Sequence, residues 1–481
     1  MKLSYVWVGV GALLIGCGGT PYMGTMQPPP TPYAVTATID TTTHHQTLEG
    51  FGAAVAFETS YLAARNLPND DIYNVLFIDL GLDILRLGNW YQNQSNSGSS
   101  ATAFGGVDND NVTFVQKATA ALGHPPKILM SSWSPPAYLK NNAVVTASEQ
   151  ANNTLLNTNG AFEYAAFGQW WVDSLAAYAA HGVVPDYISI QNEPDFWNAG
   201  WQTCFFDSSE NAKGTGNAGY DKALGAVRDA MVASSGQQPM LLGPETSGIG
   251  SSKVQGYMNA LQASGLTDAL GGVAHHLYNG GNSTNPPSFS ASMDGVAAAG
   301  GGKPLFMTEY SPNTPTLMGT AWLIQQGLTV EGLSAYFYWE LTWAAPSSGV
   351  PTALVTLEPP WAMSTWTTAK GYIINDIYYA VKHFSKWTDP GWQRVESTGG
   401  AAPIRTAAFV SPDGGSLTVV ILNTDYLDHG VTIDVGAFSA ATTAVYRTSG
   451  ANERTAAVGP LGSDNTVVMP AQSVVTVTFT P

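Results

Sequence analysis

The sequence predicts an α/β fold: a (β/α)8 barrel of the TIM type with an attached C-terminal β-sandwich that also takes in an N-terminal strand. Three observations lead there. Strand-like runs alternate with helical patterns between residues 50 and 341. The alternation stops near Lys386, after which short strands and turn signals fill the chain. One alternating run at 34–40 precedes the barrel and has no barrel position left. Strands alternating with helices indicate a parallel sheet closed or doubly wound. The open doubly wound sheet is the competing fold. It usually carries a Gly-rich phosphate loop, and neither G-x-G-x-x-G after the first strand nor a P-loop occurs.

Taken in order, residues 1–17 read as Met-Lys, an apolar stretch and Cys17. Leu14-Ile15-Gly16-Cys17 resembles a bacterial lipobox, in which the cysteine is lipidated. A plain secretory signal or a short anchor is the simpler reading. Residues 18–33, with Pro28-Pro29-Pro30, form a tether. The expected product is therefore exported, and anchored by lipid at the cell envelope or cell surface, or secreted. With Cys17 lipidated, Cys204 stands alone and no disulfide forms within the mature chain.

At 34–47, Val35, Ala37 and Ile39 alternate with threonines, a strand with one buried face. The barrel is assigned to 48–385 and the sandwich to 386–481. Barrel strands are expected at 50–55, 84–89, 127–133, 187–193, 240–246, 271–278, 304–310 and 334–341. Phe167, Trp171, Leu175 and Tyr178 share one helical face, as do Tyr220, Leu224, Val227 and Met231. Beyond Lys386, about seven strands are expected. Ile404–Val410 and Leu417–Leu422 flank a turn at Ser411-Pro412-Asp413-Gly414-Gly415.

Composition narrows the partners. Lys+Arg total 18 against Asp+Glu 35, a net charge of −17, so no long-range basic field exists for nucleic acid. Charged residues are only 11%, which leaves amide, hydroxyl and aromatic side chains to face a neutral ligand such as a sugar. The eight His include no His-x-x-x-His, so neither a metal nor another cofactor is expected. The chain is expected to be monomeric.

The sequence Tyr187-Ile188-Ser189-Ile190-Gln191-Asn192-Glu193-Pro194 is a buried strand that stops at a carboxylate, because Pro194 cannot continue it. Pro304-Leu305-Phe306-Met307-Thr308-Glu309-Tyr310 repeats the arrangement. In a parallel barrel the strand C-termini converge on one mouth. Asn89, Trp133, Glu193, Glu245, Tyr278, Glu309 and Glu340 would meet there, with Trp339 beside Glu340. Two carboxylates across one mouth are what glycosidic cleavage needs: one protonates the leaving oxygen and the other attacks or activates water. Several of these residues also have structural readings. Arg86 is a charge in a buried strand, suited to a structural ion pair, to substrate contact or to holding a nucleophile ionised. Trp133 fits core packing or a sugar platform. Tyr278 fits a core phenol or a partner of the nucleophile. His275 and His276 point to opposite strand faces, so at most one faces the interior. Glu245 and Glu340 are expected to shape the site.

Glu49-Gly50-Phe51-Gly52, Leu85-Arg86-Leu87-Gly88, Ser132-Trp133-Ser134-Pro135-Pro136-Ala137-Tyr138-Leu139-Lys140, Gln191-Asn192-Glu193-Pro194 and Thr308-Glu309-Tyr310 occur in this order. Together they resemble glycoside hydrolase family 30, retaining β-glycosidases with a barrel and an attached sandwich. Ile404-Arg405-Thr406-Ala407-Ala408-Phe409 resembles its xylanase branch. The resemblance implies Glu193 as acid/base, Glu309 as nucleophile, and Asn192 on the sugar 2-hydroxyl. It places Trp133 and Tyr278 in the −1 subsite and Arg86 behind the nucleophile; Asn89 and Trp339 complete the expected substrate contacts. The implied activity is an endo-β-1,4-xylanase acting on xylan or glucuronoxylan. β-1,6-glucan and β-glucosides such as glucosylceramide are the alternative substrates, and a non-catalytic glycan-binding lipoprotein is the rival class. No Lys or Arg occurs from Leu341 to Ala369, where glucuronoxylan-dependent members are expected to grip the acidic branch.

Overall fold

The computed structural model describes residues 33–93, 106–212, 214–250, 252–344, 350–450 and 452–481. Cys17 and residues 18–32 of the proposed tether lie outside the described residues.

The barrel strands are β2 (Gly50–Ala54), β3 (Ile84–Gly88), β4 (Lys127–Ser131), β5 (Tyr187–Ser189), β6 (Met240–Thr246), β7 (Gly272–His276), β8 (Leu305–Glu309) and β9 (Ala335–Tyr338). β1 (Tyr33–Thr47) precedes them. Pairing runs β6-β7-β8-β9-β2-β3-β4-β5 and closes. Every pair is parallel, as Ala335 opposite Gly50 and Met240 opposite Tyr187 show at either side. Helices α1 (Thr59–Ala63), α2 (Asn109–Leu122), α3 (Tyr164–Ala179), α4 (Tyr220–Ala233), α5 (Lys253–Ala263), α6 (Ser290–Gly300), α7 (Leu317–Gln326) and α8 (Asp376–Ser385) ring the strands. Their starts and stops follow local chemistry. Asp108 caps α2 by accepting from the Asn111 amide at 2.9 Å, and Gly123 ends it at φ 80°. Both expected helical faces are buried on α3 and α4. The barrel is filled rather than hollow: Ile84, Leu129, Tyr187, Leu242, Ala274, Phe306, Ala335 and Phe337 pack across it. Gly52 is required there, because a Cβ would lie 2.3 Å from the Phe337 ring.

The strands end sooner than the sequence suggests. β4 stops at Ser131, β5 at Ser189 and β7 at His276, so Trp133, Glu193 and Tyr278 lie on the loops that follow. The apolar run at 187–190 continues past the last ladder bond because Ile190 is still buried in the core.

After β9, a small sheet of β10 (Thr342–Ala344), β11 (Val355–Leu357) and β12 (Tyr372–Ile374) rises beside the mouth. The sandwich then contains β13 (Gln393–Thr398), β14 (Ile404–Val410), β15 (Leu417–Asn423), β16 (His429–Asp434), β17 (Thr442–Ser449), β18 (Glu453–Gly459), β19 (Thr466–Met469) and β20 (Ser473–Thr480). With β1 these form one hydrogen-bonded order of nine, β18-β17-β20-β15-β14-β13-β1-β16-β19; eight of the strands lie beyond Lys386, against about seven expected there. The strands share a core in which Ala37, Ile39, Val395, Ile421, Ile433 and Val477 meet. β1 pairs antiparallel with β13 and parallel with β16.

Helix α8 seats the sandwich on the barrel. His383 is fully buried, with Nδ1 2.8 Å from Thr476 Oγ1 and Nε2 2.8 Å from Thr448 Oγ1. Trp387 stacks on Tyr446 at 4.2 Å. Burial pulls the His383 pKa down to about 3, with Lys382 adding to the shift. The neutral ring is therefore the one the junction holds. Its stabilising effect is complete above the unfolded value of about 6.5 and is lost as pH falls toward the folded value. His383→Ala should destabilise the chain by about 2–3 kcal/mol, read from the urea midpoint at pH 7. It should also flatten the acid limb of stability below pH ~6.5.

Candidate active site

Several side chains from the C-terminal mouth converge on Arg86. It rises from β3, fully buried. Its Nη1 donates to Glu309 Oε2 at 2.8 Å, its Nη2 to Asn192 Oδ1 at 2.5 Å and its Nε to Glu245 Oε1 at 3.2 Å. The guanidinium lies over the Trp133 ring, 4.5 Å from the centroid. Burial alone would lower the Arg86 pKa, but Glu245 and Glu309 outweigh it, and the group stays charged.

Glu309 ends β8. Its second oxygen accepts from Tyr278 Oη at 3.2 Å. Burial raises its carboxyl above the ordinary range, and His276 and Arg86 offset that only in part. Glu193 lies past β5 at φ 47°, a left-handed backbone that a residue other than glycine adopts only under constraint. The constraint is visible: its amide donates to the Glu245 carbonyl at 3.0 Å, and Asn192 N donates to the Ser132 carbonyl at 2.7 Å. Burial, then the nearby Asp195, raise Glu193 to about 8. Among the described residues no Lys or Arg bonds Glu193, whereas Glu309 holds a guanidinium; that asymmetry separates the two carboxyls. Glu193 Oε1 lies 2.9 Å from His276 Nδ1, and His276 Nε2 is 3.7 Å from Glu309 Oε2. Burial pulls the His276 pKa down to about 4, so the ring is neutral near pH 7.

Glu193, His276 and Glu309 each present one donor atom within 4.8 Å of the others. Those donors could hold a cation. However, Arg86 already places positive charge on Glu309 at 2.8 Å, so the set suits proton handling better. The same figure puts carboxyl oxygens of Glu193 and Glu309 within 4.8 Å. Retaining glycosidases need about 5–5.5 Å between the carboxyls, and inverting ones about 6.5–9.5 Å.

Aromatic rings wall the mouth. Trp133 packs against Phe57 at 5.6 Å, Trp90 at 5.7 Å and Trp339 at 6.0 Å. Trp339 is partly open to the mouth, and Trp133 nearly closed off. The structure thus brings Glu193, Glu309, Asn192, Trp133, Tyr278, Arg86 and Trp339 together. Asn89 is a correction: its Nδ2 donates to Ser174 Oγ of α3 at 2.9 Å and its Oδ1 caps the Tyr91 amide at 3.1 Å. It is turned to the helix layer, and Trp90 takes the inward place. Gly88 makes room for that turn, since a Cβ there would meet the Trp90 indole at 2.3 Å. After strand eight, Trp361 is 63% exposed and meets Tyr61 edge-on at 4.8 Å, whereas Trp366 turns to Arg65 at 5.5 Å.

Sequence reading assigned no role to His276, Asp195 or Lys253. Asp195 accepts from the Ser247 amide at 2.8 Å and pairs with Lys253 Nζ at 2.6 Å, beside Glu193. Its place directly after Asn-Glu-Pro was the available signal.

Comparison with known proteins agrees with this geometry. Residues 391–477 match the glycosyl hydrolase family 30 beta sandwich domain. The endo-1,6-beta-D-glucanase neg1 of Aspergillus fumigatus is 27% identical over 460 residues, covering 82% of this chain and 83% of that one. The glucuronoxylanase XynC of Bacillus subtilis is 26% identical over 333 residues, 66% of this chain and 64% of that one. The catalytic domain of xylanase C from Talaromyces cellulolyticus superposes with a TM-score of 0.71 at 21% identity, over 93% of this chain and all (100%) of that one. Barrel, sandwich and these relatives define a glycoside hydrolase. Over its sandwich the chain is similar to glycoside hydrolase family 30.

Arg86→Leu would leave Glu245 and Glu309 buried without their cation. The expected loss is about 3–5 kcal/mol of stability, together with most of the activity, measured by thermal unfolding and by hydrolysis of the preferred polymer.

Proposed function

We propose that this chain is a retaining β-glycosidase that cleaves β-linked polysaccharide by double displacement. One observation carries the reading: Glu193 and Glu309 oxygens within 4.8 Å, with the cation on Glu309 alone. Glu309 attacks the anomeric carbon while Glu193 gives its proton to the leaving oxygen. Glu193 then takes a proton from the water that breaks the glycosyl–Glu309 ester, and both carboxyls return to their starting states. Arg86 and Tyr278 hold Glu309 in line, and Asn192, itself fixed by Arg86, meets the sugar 2-hydroxyl. Trp133 and Trp339 form the apolar bed under the ring.

Two polymers fit this reading. Ile404-Arg405-Thr406-Ala407-Ala408-Phe409 resembles the xylanase branch, which favours β-1,4-xylan. The A. fumigatus relative, over 82% of the chain, favours β-1,6-glucan. We further propose export and lipid anchoring at Cys17, supported by Leu14-Ile15-Gly16-Cys17 and the proline-rich stretch after it. Cys17→Ala should move the protein from the membrane fraction to the soluble fraction of a bacterial host; unchanged fractionation refutes the anchor.

Glu309→Gln should lower turnover by roughly 10⁴-fold or more, and the first-formed product of the native enzyme should keep the β configuration by NMR. An α product, or retained turnover in the variant, overturns the assignment. Because Glu193 works as the acid, activity should fall as pH rises through about 8. In Glu193→Gln that basic limb should vanish from the kcat/KM profile.

A further inference from the structure

Glu193 follows β5, the fourth barrel strand, and β9 is the eighth, so the two face each other across the closed barrel. If the scissile oxygen lies at Glu193, the glycone ring extends from there toward β9 and β2. The far wall carries Glu340, directly after Trp339, and Glu58, on the loop after β2. Glu340 is 6% exposed. Its carboxyl has no hydrogen-bond partner among the described residues, and its oxygens are not among the sealed, unpartnered atoms. It therefore opens into the mouth. It is close enough to Glu309 and Glu58 to feel both charges, and burial, with those charges adding, pushes its pKa well up. Glu58 accepts the Ala344 amide at 3.1 Å, and burial raises it to about 7. Two carboxyl groups on this wall, Glu340 buried and favoured in its protonated form, offer both donors and acceptors to a sugar hydroxyl.

The hydroxyls such a wall can reach differ between the two polymers. Within β-1,4-xylan, oxygen 4 is the linkage and carbon 5 bears no hydroxymethyl group. Within β-1,6-glucan, oxygen 6 carries the linkage and the 4-hydroxyl is free. A buried acid at the far wall is satisfied by the second and left unpaired by the first, which is a strong basis for discrimination. The wall also carries no basic residue from Leu341 to Ala369 for an acidic branch.

We infer that Glu340 is the specificity-determining residue of this site: it receives the free 4-hydroxyl of a β-glucosyl unit seated over Trp339, and so selects β-1,6-glucan over β-1,4-xylan. The inference rests on the retaining pair proposed above. The test compares kcat/KM of the whole soluble chain on linear β-1,6-glucan and on unbranched β-1,4-xylan. The native protein should favour the glucan by at least about tenfold. In Glu340→Leu the glucan-to-xylan ratio should fall by about 10- to 100-fold, and Glu340→Gln, which keeps a donor and an acceptor, should restore most of it. A native preference for xylan, or an equal loss on both polymers in Glu340→Leu, overturns the inference and leaves the retaining pair standing. Failure of the pair itself would show differently: no covalent labelling of Glu309 by a slow 2-fluoro glucosyl or xylosyl donor.

Discussion

One buried guanidinium organises this site. Arg86 takes the positions of Glu309, Asn192 and Glu245 from three separate strand ends and ties them together inside the barrel. Burying a charge is costly unless it is paired, so the partners cannot drift without exposing one another. The same pairing sets the chemistry. The carboxyl in contact with the cation is favoured as the anion, and the carboxyl without one keeps its proton. Geometry and charge state thus come from a single side chain on β3.

Around that pair the backbone works as hard as the side chains. Glu193 is held in a left-handed conformation by the Glu245 carbonyl, while Glu245, itself at φ 59°, points its side chain to Arg86 and Ser131. One residue therefore fixes the acid by its main chain and the cation by its side chain. Asp195, Ser247 and Lys253 brace the outer side of the same loop. The barrel supplies a rigid floor, and the left-handed backbone at Glu193 and Glu245 helps aim their carboxyls.

The fold was legible because barrel strands are short apolar runs with clear punctuation, and Pro194 marks where one must stop. Glu193 and Glu309 were legible for the same reason. What the sequence hid depends on direction rather than position. Asn89 and Trp90 are neighbours, and only the turn after Gly88 decides which faces the mouth. His276 could be placed on a strand face, but its bond to Glu193 joins residues 83 positions apart.

The first described strand closes the last domain. β1 lies between β13 and β16, and His44 meets Gln393 across 349 residues of chain. The sandwich is therefore not an appendage that can be cut away. Ending the chain after the barrel would strip β1 of both neighbours and leave an apolar strand edge exposed to other molecules. Nor can the sandwich be grafted elsewhere from the C-terminal segment alone, since its sheet would lack a central strand. During synthesis, β1 emerges before the barrel and stays without its sheet partners until residues 393–434 arrive, so the two domains mature together. A version with β1 moved to the C-terminal end through a short linker would separate them.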